Sequence, residues 1–107
     1  MRVQANATNS SRIFLSSSHF TKISLERALV DINNFITNNT GEIILVDIRN
    51  DNADYGRAGV DVDFTIVANL VNRIVNSAYI LPKTKLTSAI STYGGVYFAG
   101  FDFNSSF

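Results

Sequence analysis

One stretch of the chain, residues 41–51, reads GEIILVDIRND and is almost continuously aliphatic until it turns polar at its end. Its length and β-branched content predict a strand buried on both faces, as in a parallel sheet covered by helices. Side chains alternate along a strand, so Asp47, Arg49 and Asp51 are expected to share one face at its carboxyl end. Ligands of α/β folds bind beyond the carboxyl ends of the strands, which makes these three residues the first candidates for a site.

Two further segments have the apolar spacing of amphipathic helices that bury one face. The first is predicted to start after Ser24, as its N-cap, and to reach Ile36, and the second covers about residues 63–76. Gly41 lies just beyond the first helix, where a left-handed backbone is common. The apolar stripes consist of Leu25, Ala28, Leu29, Ile32, Phe35 and Ile36 in the first helix and Phe64, Val67, Ala68, Val71 and Val75 in the second.

Two more strands are predicted, at residues 12–18 around Ile13 and at residues 96–101, which read VYFAGF. Residues 1–11 are expected to be a polar lead-in, and residues 86–90 a short helical turn. The resulting order is β-α-β-α-β, with the strands parallel in one α/β sheet. Such a segment leaves two sheet edges open, and a complete (β/α) barrel takes about 250 residues. We therefore expect residues 12–107 to be part of a barrel domain.

Composition narrows the possible functions. The chain has 46% hydrophobic and 17% charged residues, which is typical of a folded domain. Its formal net charge is zero, so there is no electrostatic argument for binding nucleic acid. The absence of cysteine excludes disulfides, thiolate zinc sites and cysteine nucleophiles. Asn-x-Ser/Thr triplets occur at Asn6, Asn9, Asn38 and Asn104, but chance produces them easily in this composition.

Ser18-His19, followed by ISLERALVDINNFI at residues 23–36 and NTGEIILVDIR at residues 39–49, resembles the X-domain of phosphatidylinositol-specific phospholipase C. The pattern is closest to the bacterial enzymes and to the small proteins that consist of an X-domain alone. Members have a strand that ends in histidine, a helix of the form L..AL..INxFL, and a loop xxPGE before a strand VVILDxR. The resemblance covers about residues 12–51, and beyond them only the order of elements and a late VYF strand agree.

The resemblance implies a distorted TIM barrel that cleaves the phosphodiester of an inositol phospholipid or a related lipid. Members use one histidine as general base on the inositol 2-hydroxyl and another as general acid on the leaving glycerol oxygen. His19 matches the second, and Arg49 matches a position at the barrel mouth that contacts inositol hydroxyls or, in calcium-dependent members, the metal. Asp47 is expected to bind substrate beside Arg49. The implied partner is a lipid, with peripheral membrane contact, and an extracellular or membrane-peripheral location is favoured.

His19 is the only histidine, so the general base is missing and the chain alone is expected to be inactive. In an alternative interpretation His19 is a polar loop residue, Arg49 pairs with Asp47 or Asp51, and the chain is a non-catalytic binding module built on a barrel scaffold. A glycerophosphodiesterase relative would need a His-Glu pair, which is absent. The loop acids Asp51, Asp54 and Asp61 lack EF-hand spacing, so no metal ligand is assigned, although calcium is compatible with the family.

Overall fold

The computed structural model describes residues 1–16, 20–50, 59–82 and 94–100 of the chain. These residues form one mixed sheet with two helices packed on it, which confirms the α/β class. The elements are β1 (Arg2–Asn6), β2 (Ile13–Ser16), β3 (Phe20–Ser24), α1 (Leu25–Asn38), β4 (Ile43–Asn50), β5 (Gly59–Val60), α2 (Phe64–Ile74), a 3-10 turn (Ser77–Tyr79) and β6 (Gly95–Gly100). No helix in the described part is long and apolar enough to span a membrane.

The strands lie in the order β3-β2-β1-β4-β6, and the short β5 also pairs with β1. β1, β4 and β6 are parallel neighbours, whereas β2 runs antiparallel to β1 and β3 antiparallel to β2. The sheet formed by the described residues is open and does not close into a barrel. The parallel strands predicted from the sequence are thus one part of a mixed sheet.

The parallel neighbour of the central strand β4 is not the predicted one. We expected the strand around Ile13 to fill this place, which is wrong, because that strand is β2 and runs antiparallel. The neighbour is β1, which lies within the expected polar lead-in of residues 1–11. Val3 and Ala5 are both 0% exposed and anchor β1 in the core. Two apolar residues are too few for a recognisable alternating pattern, so burial and backbone pairing decide that this segment is a strand.

Both helices begin where the sequence predicts. The Ser24 hydroxyl accepts a hydrogen bond from Arg27 N at 3.0 Å, and the Asp63 carboxylate accepts one from Thr65 N at 2.9 Å. Each contact satisfies an amide at the helix start that has no partner within the helix. The apolar stripes pack on the same face of the sheet, except for Phe35, which is largely exposed. The buried helix residues are Leu25, Leu29, Ile36, Val67, Ala68 and Val71.

The two faces of the sheet differ in what covers them. Val46 and Ile48 of β4 and Phe98 of β6 are buried in the core cluster, on what we call the helix-covered face. The alternate residues of the same strands lie on the opposite, helix-free face. Leu45 on that face is 70% exposed, so the prediction that β4 is buried on both faces is wrong. A single helical layer covers only one side of the described sheet.

Glycine allows the starts of β4 and β6 to approach each other closely. Gly41 has φ 98°, the left-handed conformation expected after α1. A Cβ atom at residue 94 would overlap the backbone of Gly41, so only glycine fits there without a shift. Gly95 N then donates a 2.8 Å hydrogen bond to Glu42 O. The linker before β6 also joins the sheet, because Ile80 pairs in parallel with Val96. The predicted helical turn at residues 86–90 lies outside the described residues.

Candidate functional site

The carboxyl end of β4 brings basic side chains from two strands into one row. Arg2 of β1 lies opposite Arg49 of β4 in the parallel pair. Val3 belongs to the core cluster, so its neighbour Arg2 lies on the helix-free face, and Arg49 shares that face by register. On the other side of β1, Val3 lies opposite Leu15, which brings Ser16 next to Arg2. The register therefore forms a row of Ser16, Arg2 and Arg49 across three neighbouring strands.

Asp47 and Arg49 share one face, as the sequence predicts, and contact each other directly. Asp47 Oδ2 accepts a hydrogen bond from Arg49 Nε at 2.8 Å, and the side chains are 46% and 72% exposed, respectively. Within the described parts of the chain, the Arg49 side chain makes only this contact. The Nη1/Nη2 edge of its guanidinium therefore faces away from the carboxylate, with its donors oriented for a second acceptor. The ion pair of the alternative interpretation is thus present, and it engages only one edge of Arg49.

The row has an excess of positive charge. Two guanidinium groups, those of Arg2 and Arg49, stand against the single carboxylate of Asp47. Two polar residues on the same face, Gln4 and Ser16, are buried, with exposures of 0% and 6%. Partly desolvated surroundings strengthen the attraction between a guanidinium and an anion. This arrangement is chemically suited to hold the oxygens of a phosphate or carboxylate.

His19, the predicted general acid, lies outside the described residues, as do Asp51 and Asp54. The described neighbours on either side of His19 can be placed: Ser16 of β2 pairs with Phe20 of β3. The strand ends that flank the histidine therefore belong to the same part of the sheet as the row. Whether the imidazole reaches Arg49 stays a prediction.

Asp61, the third loop acid, has a structural partner. Its Oδ1 accepts a hydrogen bond from Asn50 Nδ2 at 2.8 Å, while Asn50 Oδ1 accepts one from Val62 N at 3.0 Å. The Asn50 side chain thereby ties the end of β4 to the segment that leads into α2. Within the described ranges no group of three or more His, Cys, Asp or Glu side chains is close enough to hold a metal ion.

Sequence reasoning missed Arg2, because the strand that positions it is so short. A basic residue followed by alternating buried positions at Val3 and Ala5 is the only local signal. The structure adds the decisive fact, which is the register that sets Arg2 opposite Arg49. A pairing between residues so far apart in the chain depends on the whole sheet and has no counterpart in the local pattern.

A different, apolar surface lies toward the amino ends of the strands on the same helix-free face. Leu45 of β4 is opposite Tyr97 of β6, and Ile43 is opposite Gly95. Phe98, which the sequence offered as either a lipid-facing or a core residue, is buried on the helix-covered face with 1% exposure. The helix-free face therefore changes from apolar to charged along the direction of β4.

Comparisons of the chain with protein-family models, with curated proteins and with solved structures found no match.

Proposed function

We propose that this chain is part of a phosphoric diester hydrolase of the phosphatidylinositol-specific phospholipase C type. The observation that carries the proposal is the pair of guanidinium groups, Arg2 and Arg49, at the carboxyl end of β4 on the face that no helix covers. In α/β folds this end of the sheet is where ligands bind. The substrate class comes from the resemblance of residues 18–49 to the X-domain, and the charge of the row is compatible with a phosphodiester.

In the proposed reaction the arginines bind and stabilise the phosphate. A planar guanidinium can donate two parallel hydrogen bonds to phosphate oxygens, and its charge stabilises the additional negative charge of the transition state. Asp47 belongs to the same substrate-binding group. His19, as general acid, would donate a proton to the leaving glycerol oxygen when the P–O bond breaks. The inositol 2-hydroxyl attacks the phosphorus, which produces a cyclic inositol phosphate and diacylglycerol.

The attacking hydroxyl also needs a base, and the chain has a single histidine. General acid catalysis alone contributes only on the order of 10² to 10⁴-fold. The proposal therefore includes that residues 1–107 by themselves do not cleave the lipid at an enzymatic rate. The substrate is an inositol phospholipid or a related phosphodiester in a membrane surface, and no nucleic acid is expected as a partner. Calcium is included in the assay, because some relatives of the proposed class depend on it.

The second candidate function is a non-catalytic module that binds the head group without cleaving it. Two observations favour it, namely the lone histidine and the ion pair between Asp47 and Arg49. An ion pair of this kind also satisfies charges in proteins that have no catalytic role. Both candidates use the same anion-binding row, so they differ only in whether a phosphodiester bond is broken.

Hydrolysis of phosphatidylinositol vesicles by the protein as its gene encodes it tests the proposal. Inositol phosphate release is followed with and without calcium for the unchanged protein and for His19→Ala and Arg49→Ala. We expect cleavage by the unchanged protein and a loss of roughly two or more orders of magnitude in His19→Ala. Arg27→Ala is the matched control, because Arg27 is an exposed arginine on α1.

The outcomes separate the two candidate functions. Cleavage that is equal in the unchanged protein and in His19→Ala would remove the histidine from the mechanism. Binding of inositol phosphate without cleavage, lost in Arg49→Ala but kept in Arg27→Ala, would replace the hydrolase with the binding module. If the protein neither cleaves nor binds, the row has no such ligand and both candidates fail.

A further inference from the structure

The contact between Asp47 and Arg49 occupies a specific edge of the guanidinium. Asp47 accepts from Nε, which lies on the side of the group nearest its own strand, at 2.8 Å. The two residues are two positions apart on β4, so both side chains emerge from the same face at a distance of about 7 Å along the strand. The short carboxylate therefore reaches only the near edge of the fork. The far edge, Nη1 and Nη2, is left to face outward.

We propose that Asp47 is a positioning residue that holds Arg49 in the orientation in which its Nη1/Nη2 edge binds a phosphate group. This inference rests on the proposed function and refines it, because Asp47 then acts through Arg49 and does not itself contact the phosphate. A guanidinium that is 72% exposed would otherwise sample many rotamers. A ligand would have to immobilise that side chain on binding, at a cost of about 0.5 to 1.5 kcal/mol. The hydrogen bond to Asp47 reduces this cost before the ligand arrives.

The charges explain why Asp47 does not touch the phosphate. A carboxylate and a phosphate repel each other, most strongly where water is partly excluded. Arg2, directly opposite Arg49 on β1, restores an excess of positive charge in the row. Asp47 can thus orient Arg49 without making the row unfavourable for an anion. A rival role, in which Asp47 accepts hydrogen bonds from inositol hydroxyls, requires direct contact with the sugar and makes different predictions.

Two substitutions of Asp47 separate orientation from charge. Asp47→Asn and Asp47→Ala both remove the negative charge, but only asparagine keeps an oxygen that can accept from Arg49 Nε. Affinity for inorganic phosphate is measured for both variants by isothermal titration calorimetry at low ionic strength, with Arg49→Ala as reference. We expect Asp47→Ala to bind phosphate about 2- to 10-fold more weakly than Asp47→Asn, which is the fold-change that corresponds to one immobilised side chain. Arg49→Ala should bind about 10-fold or more weakly than the unchanged protein.

A second readout reports on the contact without any ligand. In NMR spectra the Arg49 Nε–H of the unchanged protein and of Asp47→Asn should exchange with water more slowly than that of Asp47→Ala. A role of Asp47 in stability alone would not produce this pattern. Titration with myo-inositol, which has hydroxyls but no phosphate, tests the rival role. If Asp47 contacts the sugar, both variants lose inositol binding while phosphate binding is equal in the two.

The outcomes distinguish failure of this inference from failure of the proposed function. Equal phosphate affinities of Asp47→Asn and Asp47→Ala, with Arg49→Ala still impaired, would overturn the positioning role alone. Absence of phosphate binding by the unchanged protein would overturn both. A weaker Asp47→Ala in a protein that binds phosphate but never hydrolyses phosphatidylinositol would support the positioning role and refute the hydrolase.

Discussion

The two faces of the sheet come from alternate residues of the same strands, yet they have different tasks. Val46 and Ile48 contribute to the helix-covered face, and Leu45, Asp47 and Arg49 to the helix-free face. The first face joins the core with almost no exposed area, while the second presents charge and an apolar side chain to solvent. The contrast teaches that one short sequence can encode stability on one face and candidate chemistry on the other, because side chains alternate.

The difference also limits what each face can tolerate. Buried aliphatic side chains stabilise the fold by roughly 1.5 to 3 kcal/mol each, and removing them leaves cavities. Exposed side chains on the helix-free face contribute little to folding, so selection can place charges there at small cost. Function and stability are therefore expected to respond to different substitutions, even at neighbouring positions of one strand.

The same substitution on the two sides of the core should have the largest difference in effect. Leu29→Ala, at a fully buried position of α1, is expected to lower the free energy of unfolding by about 2 to 5 kcal/mol. Leu45→Ala, on the helix-free face, should change it by less than about 0.5 kcal/mol. Urea denaturation measures both. Should Leu29→Ala fail to fold, Ile48→Val replaces it, with an expected loss of about 0.5 to 1.5 kcal/mol. Equal losses at Leu29 and Leu45 would mean that the helix-free face is also buried in solution.

A smaller effect tests whether β1 is an integral strand of the sheet. Val3→Thr keeps the shape of the side chain but buries a hydroxyl in the core, which should cost about 1 to 3 kcal/mol. Val60→Thr makes the same change at a position that is 38% exposed and should cost less than about 0.5 kcal/mol. Thermal or urea unfolding of the two variants gives the comparison. An unaffected Val3→Thr protein would show that residues 1–11 are a lead-in, as the sequence alone indicated.

The smallest effect is expected for the ion pair on the helix-free face. A double-mutant cycle with Asp47→Ala and Arg49→Ala should give a coupling energy in folding of about 0.2 to 1 kcal/mol, because both side chains are largely exposed. High salt should reduce it further by screening. The Arg27–Asp31 pair on α1, another exposed pair of the same charges, is the control. A coupling of several kcal/mol would mean that the pair is desolvated and has a structural role.

Local patterns predict the helices and the central strand well. The apolar spacing and the capping residues Ser24 and Asp63 locate α1 and α2 to within a few residues, because caps and amphipathic stripes are short-range features. Gly41 likewise announces its own left-handed backbone. The alternation of Asp47 and Arg49 also follows from strand geometry, and their contact confirms it. The substrate ligands could thus be placed on one face without tertiary information.

Strand pairing could not be predicted in the same way. β1 has too few apolar residues to be recognised, and its place between β2 and β4 depends on backbone pairing with segments far along the chain. That pairing turns β2 antiparallel and sets Arg2 beside Arg49, which the local pattern did not indicate. The exposure of Leu45 is a similar case, because burial depends on which layers pack against each face.

The sequence by itself determined the α/β class, both helices with their caps, the central strand and the shared face of Asp47 and Arg49. These features follow from periodicity and from contacts between near neighbours. Only the tertiary structure decided the strand order, the mixed directions, the single helical layer and the juxtaposition of Arg2 with Arg49. The physical reason is that sheet pairing and burial are cooperative properties of distant segments, whose free energies depend on the assembled fold and not on any single stretch of the chain.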